Sequence, residues 1–125
     1  MNMINEKMTV TELQKYIHNQ NVGAGWWHDL ETNEPKERNI GELLCLVHSE
    51  VSEAMEGARK GLMDDHLPNR TMLETELADA IIRILDIGGG FNLDLIGAIV
   101  EKVQYNKTRA DHNLTNRAKA GGKKF

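Results

Sequence analysis

Apolar positions recur at helical spacing along most of the chain, and no stretch of useful length alternates as a half-buried strand would, which predicts an all-α fold. A first helix is expected from Thr9, where Thr9-x-x-Glu12 has the form of a capping box, through Leu13, Tyr16 and Ile17 to about Gln20. Gly23, Gly25 and Pro35 then mark a long loop to about Arg38, which carries Trp26 and Trp27. The longest helix runs from near Asn39 through GELLCLVHSEVSEAMEGARK to a glycine stop at Gly61. Pro68 breaks the connector MDDHLPNR, and Thr71-x-x-Glu74 opens a third helix that ends at Gly88-Gly89-Gly90. Asn92 is expected to cap a fourth helix from Leu93 to about Ala110. This organisation is a single domain over 1–112, followed by a basic flexible tail over 113–125 in which Lys119, Lys123 and Lys124 read as solvated.

Placing residues at about 100° intervals gives the second helix an apolar arc of Leu43, Val47, Val51, Ala54 and Ala58. Glu50 falls inside that arc and Glu53 on its edge. A carboxylate on an apolar stripe calls for a cation, a metal or a proton, because burying an unpaired charge is costly. The third helix repeats the arrangement, with Leu73, Leu77, Ala80, Ile81, Ile84 and Ile87 on the apolar face, Glu76 beside it and Asp79 a step further out. Residues three apart share a helix side, so Glu50-x-x-Glu53 and Glu76-x-x-Asp79 each direct two carboxylates at one point. On packed helices the two pairs would surround hard cations with oxygen, a donor set that suits Mg2+ better than zinc, with Mn2+ as a substitute. Either pair alone is common on solvated helix faces; their joint occurrence is more specific.

Composition narrows the options. A formal net charge of −4 argues against a general binder of nucleic-acid polymers, whereas a small phosphorylated ligand is compatible with it once a cation reverses the local field. The single cysteine, Cys45, excludes an intrachain disulfide or a cysteine-built metal site. The start MNMINEKM lacks the basic and apolar segments of a signal peptide, and no run approaches a membrane span, so a cytoplasmic protein with no membrane partner is expected.

The stretches HSEVSEAMEG and ETELADAIIRILD, with VEKVQYNKTR downstream, resemble the MazG-like group of all-α nucleoside triphosphate pyrophosphohydrolases, over about residues 40 to 110. The resemblance implies a helical bundle completed as a homodimer or homotetramer. It also implies cleavage of a nucleoside triphosphate between the α and β phosphates, with Mg2+ held by Glu50, Glu53, Glu76 and Asp79. Glu50 or Glu53 is the expected general base, since burial raises a carboxylate's pKa. A lysine and an asparagine of the family's last helix, associated with the phosphates, carry over to Lys102 and Asn106. Arg109 joins them on one polar stripe, at spacings of four and three residues. Trp26 and Trp27 are candidates for stacking on the base, or alternatively for pinning the loop to the core, and His28 and Asp29 for assisting at the site. His48 lies away from the apolar arc, and no Glu-x-x-His motif supports a di-iron site. Two alternatives stay open: a related hydrolase acting on phosphoribosyl-ATP or a modified nucleotide, and a non-catalytic helical module that binds a nucleotide or a partner.

Overall fold

The computed structural model of the chain describes residues 3–109 and 121, and is all-helical. The helices are α1 (Val10–Gly23), α2 (Ile40–Lys60), α3 (Met72–Gly90) and α4 (Leu95–Thr108). They fall into two compact units, Met1–Leu93 and Asp94–Phe125. Among the described residues no strand forms, only isolated bridges at His28–Pro35 and Met63–Thr71.

The helix ends follow from local chemistry. Thr9 and Thr71 each accept a hydrogen bond from the backbone N–H three residues on and receive the reciprocal contact from Glu12 and Glu74, so both capping boxes form. Asn39 caps α2 by accepting from the Glu42 N–H, and Gly61 closes it in the left-handed conformation, φ 62°. Two boundaries differ from expectation. α1 continues to Gly23, because the first residue to leave right-handed space is Gly25, φ 89°. Asn92 does not cap α4: it takes φ 59° just beyond α3, as asparagine tolerates, and the turned chain delivers Asp94 as the cap. Asp94 Oδ1 accepts from the Gly97 N–H at 3.0 Å.

Within the first unit α3 is central, packing against both α1 and α2. Gly57 lies against Met72, Glu50 against Arg83 and Leu43 against Ile87, so α2 and α3 run antiparallel. Trp27, Leu43 and Ile87 make the central apolar cluster, with Val22 and Val47 packed on it. The buried seam of α2 is Leu43, Glu50, Ala54 and Gly57. Val51, expected in the core arc, is half exposed, and on α3 Leu73, Leu77, Ile81 and Ile84 are likewise outside while Ala80, Leu85, Ile87 and Gly88 are buried. The apolar arcs are wider than one neighbour can cover, and Ala58, also expected in the arc of α2, is exposed.

The loop between α1 and α2 is tied down at several points. Lys36 N–H donates to Trp27 O at 2.8 Å and Asp29 N–H to Glu34 O at 2.9 Å. The Trp27 ring lies on Gly90 so closely that a Cβ there would overlap it, and a Cβ on Gly89 would likewise overlap the His18 side chain. The glycine run, expected as a stop, is thus the last turn of α3 and the floor on which two rings rest.

In the second unit, no described residue of α4 is buried. Lys102 Nζ lies 5.2 Å from the centre of the Tyr105 ring and the Arg109 guanidinium 6.0 Å from it, while Arg109 donates to Asn106 Oδ1 at 3.3 Å. The predicted tail over 113–125 lies outside the described residues, apart from Gly121. No helix among the described residues is long and apolar enough to cross a membrane.

Candidate metal centre

The α2–α3 seam brings the predicted carboxylates together. Glu50 on α2 and Glu76 and Asp79 on α3 each offer an oxygen, and these atoms all lie within 4.8 Å of one another. Glu53 is exposed and outside that group of three, yet its carboxyl reaches Glu76 closely enough to act on its ionisation. Glu50 is 9% exposed; Glu76 is partly buried, and its Oε2 is shielded from solvent with no hydrogen-bond donor.

Electrostatics follow from that crowding. The Glu76 carboxyl is pushed up to about 8, first by sharing a hydrogen bond with Glu50, then by burial and by the contact and charge of Glu53. Asp79 is raised chiefly by burial and next by the charge of Glu50, with the nearby Arg83 opposing. A hydrogen bond between two carboxyls needs a proton, and fully ionised the group has no donor of its own for the buried Glu76 oxygen. The seam therefore requires a proton or a cation, and its all-oxygen donor set fits a hard divalent ion. The general base was expected at Glu50 or Glu53 because of burial; the raised proton affinity is seen at Glu76 and Asp79.

A cavity of about 520 Å³ opens beside the carboxylates, lined by Glu50, Asp79, Arg83, Arg38, Trp26 and Asn21 among others. The two tryptophans part company here. Trp27 is 7% exposed, donates its indole N–H to Asp86 at 3.0 and 3.1 Å and packs edge-on to His18 and Phe91. Trp26 is 59% exposed and lines the cavity, its carbonyl accepting from Arg38 at 2.5 Å. A larger hollow, about 910 Å³, runs along the outer side of α1 past Glu12, Lys15 and Tyr16, but it contains none of the clustered carboxylates, so size alone does not choose the site.

Asp29 Oδ1 accepts from the Glu31 and Thr32 N–H groups and shapes the loop turn. His48 is exposed. Two residues that sequence reasoning passed over belong to the site. Arg83 Nε donates to Glu50 Oε1 at 3.1 Å, and Asp86 links the cavity wall to Trp27 and to His18 Nδ1 at 2.9 Å. Their signal was present: they follow Asp79 by four and seven residues, continuing the same row of α3. Protein-family models, curated proteins and solved structures offer no match to this chain.

Proposed function

We propose that this protein is a Mg2+-dependent nucleoside triphosphate pyrophosphohydrolase, releasing a nucleoside monophosphate and pyrophosphate. The observation that carries the reading is the approach of Glu50, Glu76 and Asp79 oxygens to within 4.8 Å, with a buried Glu76 oxygen that has no donor. Glu50, Glu76 and Asp79 would hold the metal, with Glu53 at the edge of the group. Bound there, Mg2+ supplies Lewis acidity that offsets charge on the phosphates and lowers the pKa of a water. Hydrolysis adds the water oxygen to the α phosphorus and expels pyrophosphate. The cavity suits such a substrate: Arg38 and Arg83 on its wall complement phosphate oxygens, and the exposed Trp26 ring offers a face to the base. For Lys102, Asn106 and Arg109 the phosphate role rests on the family resemblance, and a raised KM in Lys102→Ala and Asn106→Ala is its test.

Self-association belongs to the same proposal. Leu44, Val51 and Met55 on α2 and Leu73, Leu77, Ile81 and Ile84 on α3 are each 39% exposed or more. Both rows lie one step of about 100° past the shared seam, and in an antiparallel pair that step turns both to one side of the hairpin. Continuous apolar faces of this kind mark interaction surfaces, and a second copy covers it in this proposal.

The decisive measurement is pyrophosphate release across canonical and modified ribo- and deoxynucleoside triphosphates, with and without Mg2+. Release only with Mg2+, lost in Glu53→Gln and Asp79→Asn while the helical circular dichroism is kept, is the expected result. Turnover equal to wild type in both variants would falsify the metal-site reading; no release from any substrate favours the non-catalytic alternative.

A further inference from the structure

We infer that Arg83 is a counter-ion that yields Glu50 to the arriving metal and is thereby released to the substrate, so that it opposes metal binding and favours nucleotide binding. This rests on the proposed metal site and adds a role for a residue outside it. Arg83 Nε donates to Glu50 Oε1 at 3.1 Å, and Arg83, Glu50 and Asp79 line the same cavity. It therefore pairs with one of the three residues whose oxygens converge.

A divalent ion bound by those oxygens would stand beside a fixed positive charge, and like charges at such separations repel appreciably where water is partly excluded. One of the two has to move. The Arg83 side chain is 40% exposed, against 12% for Glu50, and it already lines the 520 Å³ cavity. Space for its guanidinium thus lies on the side where the phosphates of a nucleotide would sit. Leaving Glu50, it exchanges one oxyanion for another and suffers no unpaired burial. Arg38, on the same wall, lacks this freedom, since it is held by Trp26 O and by the Trp27 ring at 5.2 Å.

The test separates the two ligands. Mn2+ titrations of the whole protein, followed by calorimetry without nucleotide, should show roughly tenfold tighter binding in Arg83→Gln than in wild type, the scale of removing one nearby unit charge. With Mn2+ saturating, an α,β-methylene nucleoside triphosphate should bind the variant roughly tenfold more weakly. In wild type the Arg83 Nε–H resonance, assigned by its loss in Arg83→Lys, should shift when Mg2+ is added, a readout that does not depend on the glutamine variant folding. If wild type binds Mn2+ as tightly as Arg83→Gln or more so, or if the resonance stays in place at saturating Mg2+, Arg83 is a fixed support and the inference fails alone. If neither wild type nor variant binds Mn2+, the metal-site reading fails and takes the inference with it.

Discussion

Glu76 holds its proton to about pH 8 in the folded, cation-free chain, against an ordinary value of 4.5, because Glu50 and Glu53 face it and solvent is partly excluded. In the unfolded chain it ionises near its ordinary value. Folded and unfolded states then bind equal numbers of protons below about pH 4.5, and the folded state binds more from there to about pH 8. The stability this group contributes is present in acid and lost as the pH rises through about 8. A divalent cation bound at the proposed site would reverse the slope, since it would bind only the deprotonated ligands. Two outcomes are expected in thermal melts. Without metal, wild type loses stability from about pH 5 to about pH 8 more steeply than Glu76→Gln. With millimolar Mg2+, the gain in Tm is larger near pH 8 than near pH 6 in wild type and absent in Glu76→Gln. A Mg2+ gain that ignores pH contradicts this account of the site.

Among the elements, the last turn of α3 carries the most specific constraint. Alanine is a better helix former than glycine, so Gly90→Ala in an unconstrained helix would stabilise by about 1 kcal/mol. Here the new methyl meets the Trp27 ring, and overpacking of that kind costs about 1–3 kcal/mol. A net loss of stability in urea melts is expected, and a gain would show that the ring has room to withdraw. Removing the α3 capping box by Thr71→Ala should cost about 1 kcal/mol in the same assay. These two sites show what was legible in the sequence. The caps at Thr9, Thr71 and Gly61 were, because a cap is decided within three or four residues, whereas Asn92 yielded that place to Asp94. Also legible was the meeting of Glu50 with Glu76 and Asp79, since helical spacing gave each pair one direction. The role of the glycines was not, because it depends on rings 60 or more residues away in the chain. Arg83 was legible only in part: its place four residues after Asp79 puts it on the same row of α3, but its pairing with Glu50 comes from across the seam. Val51 and Ile81 were assigned inward because periodicity reports apolarity and not which neighbour covers it.

At the scale of the whole molecule, the core is thin. Among the described residues the buried apolar set is Ile17, Trp27, Leu43, Ala54, Ala80, Leu85 and Ile87, and no large side chain is completely enclosed. The outer rows of α2 and α3 hold more large apolar residues than that buried set, so a second copy is expected to contribute much of the stability. Ile81→Glu should shift sedimentation at micromolar concentration from dimer or larger to monomer and lower Tm; wild type sedimenting as monomer would overturn this expectation. The contrast between the tryptophans gives the molecule an optical gauge of its own cavity. Trp27 is enclosed and bonded to Asp86, and its emission is set by the fold. Trp26 stands in solvent at the cavity wall, and it is the indole that a stacked base would quench. Quenching of indole emission on adding nucleotide is then expected from Trp26, and Trp26→Phe should remove it while leaving the folded-state signal of Trp27 in place.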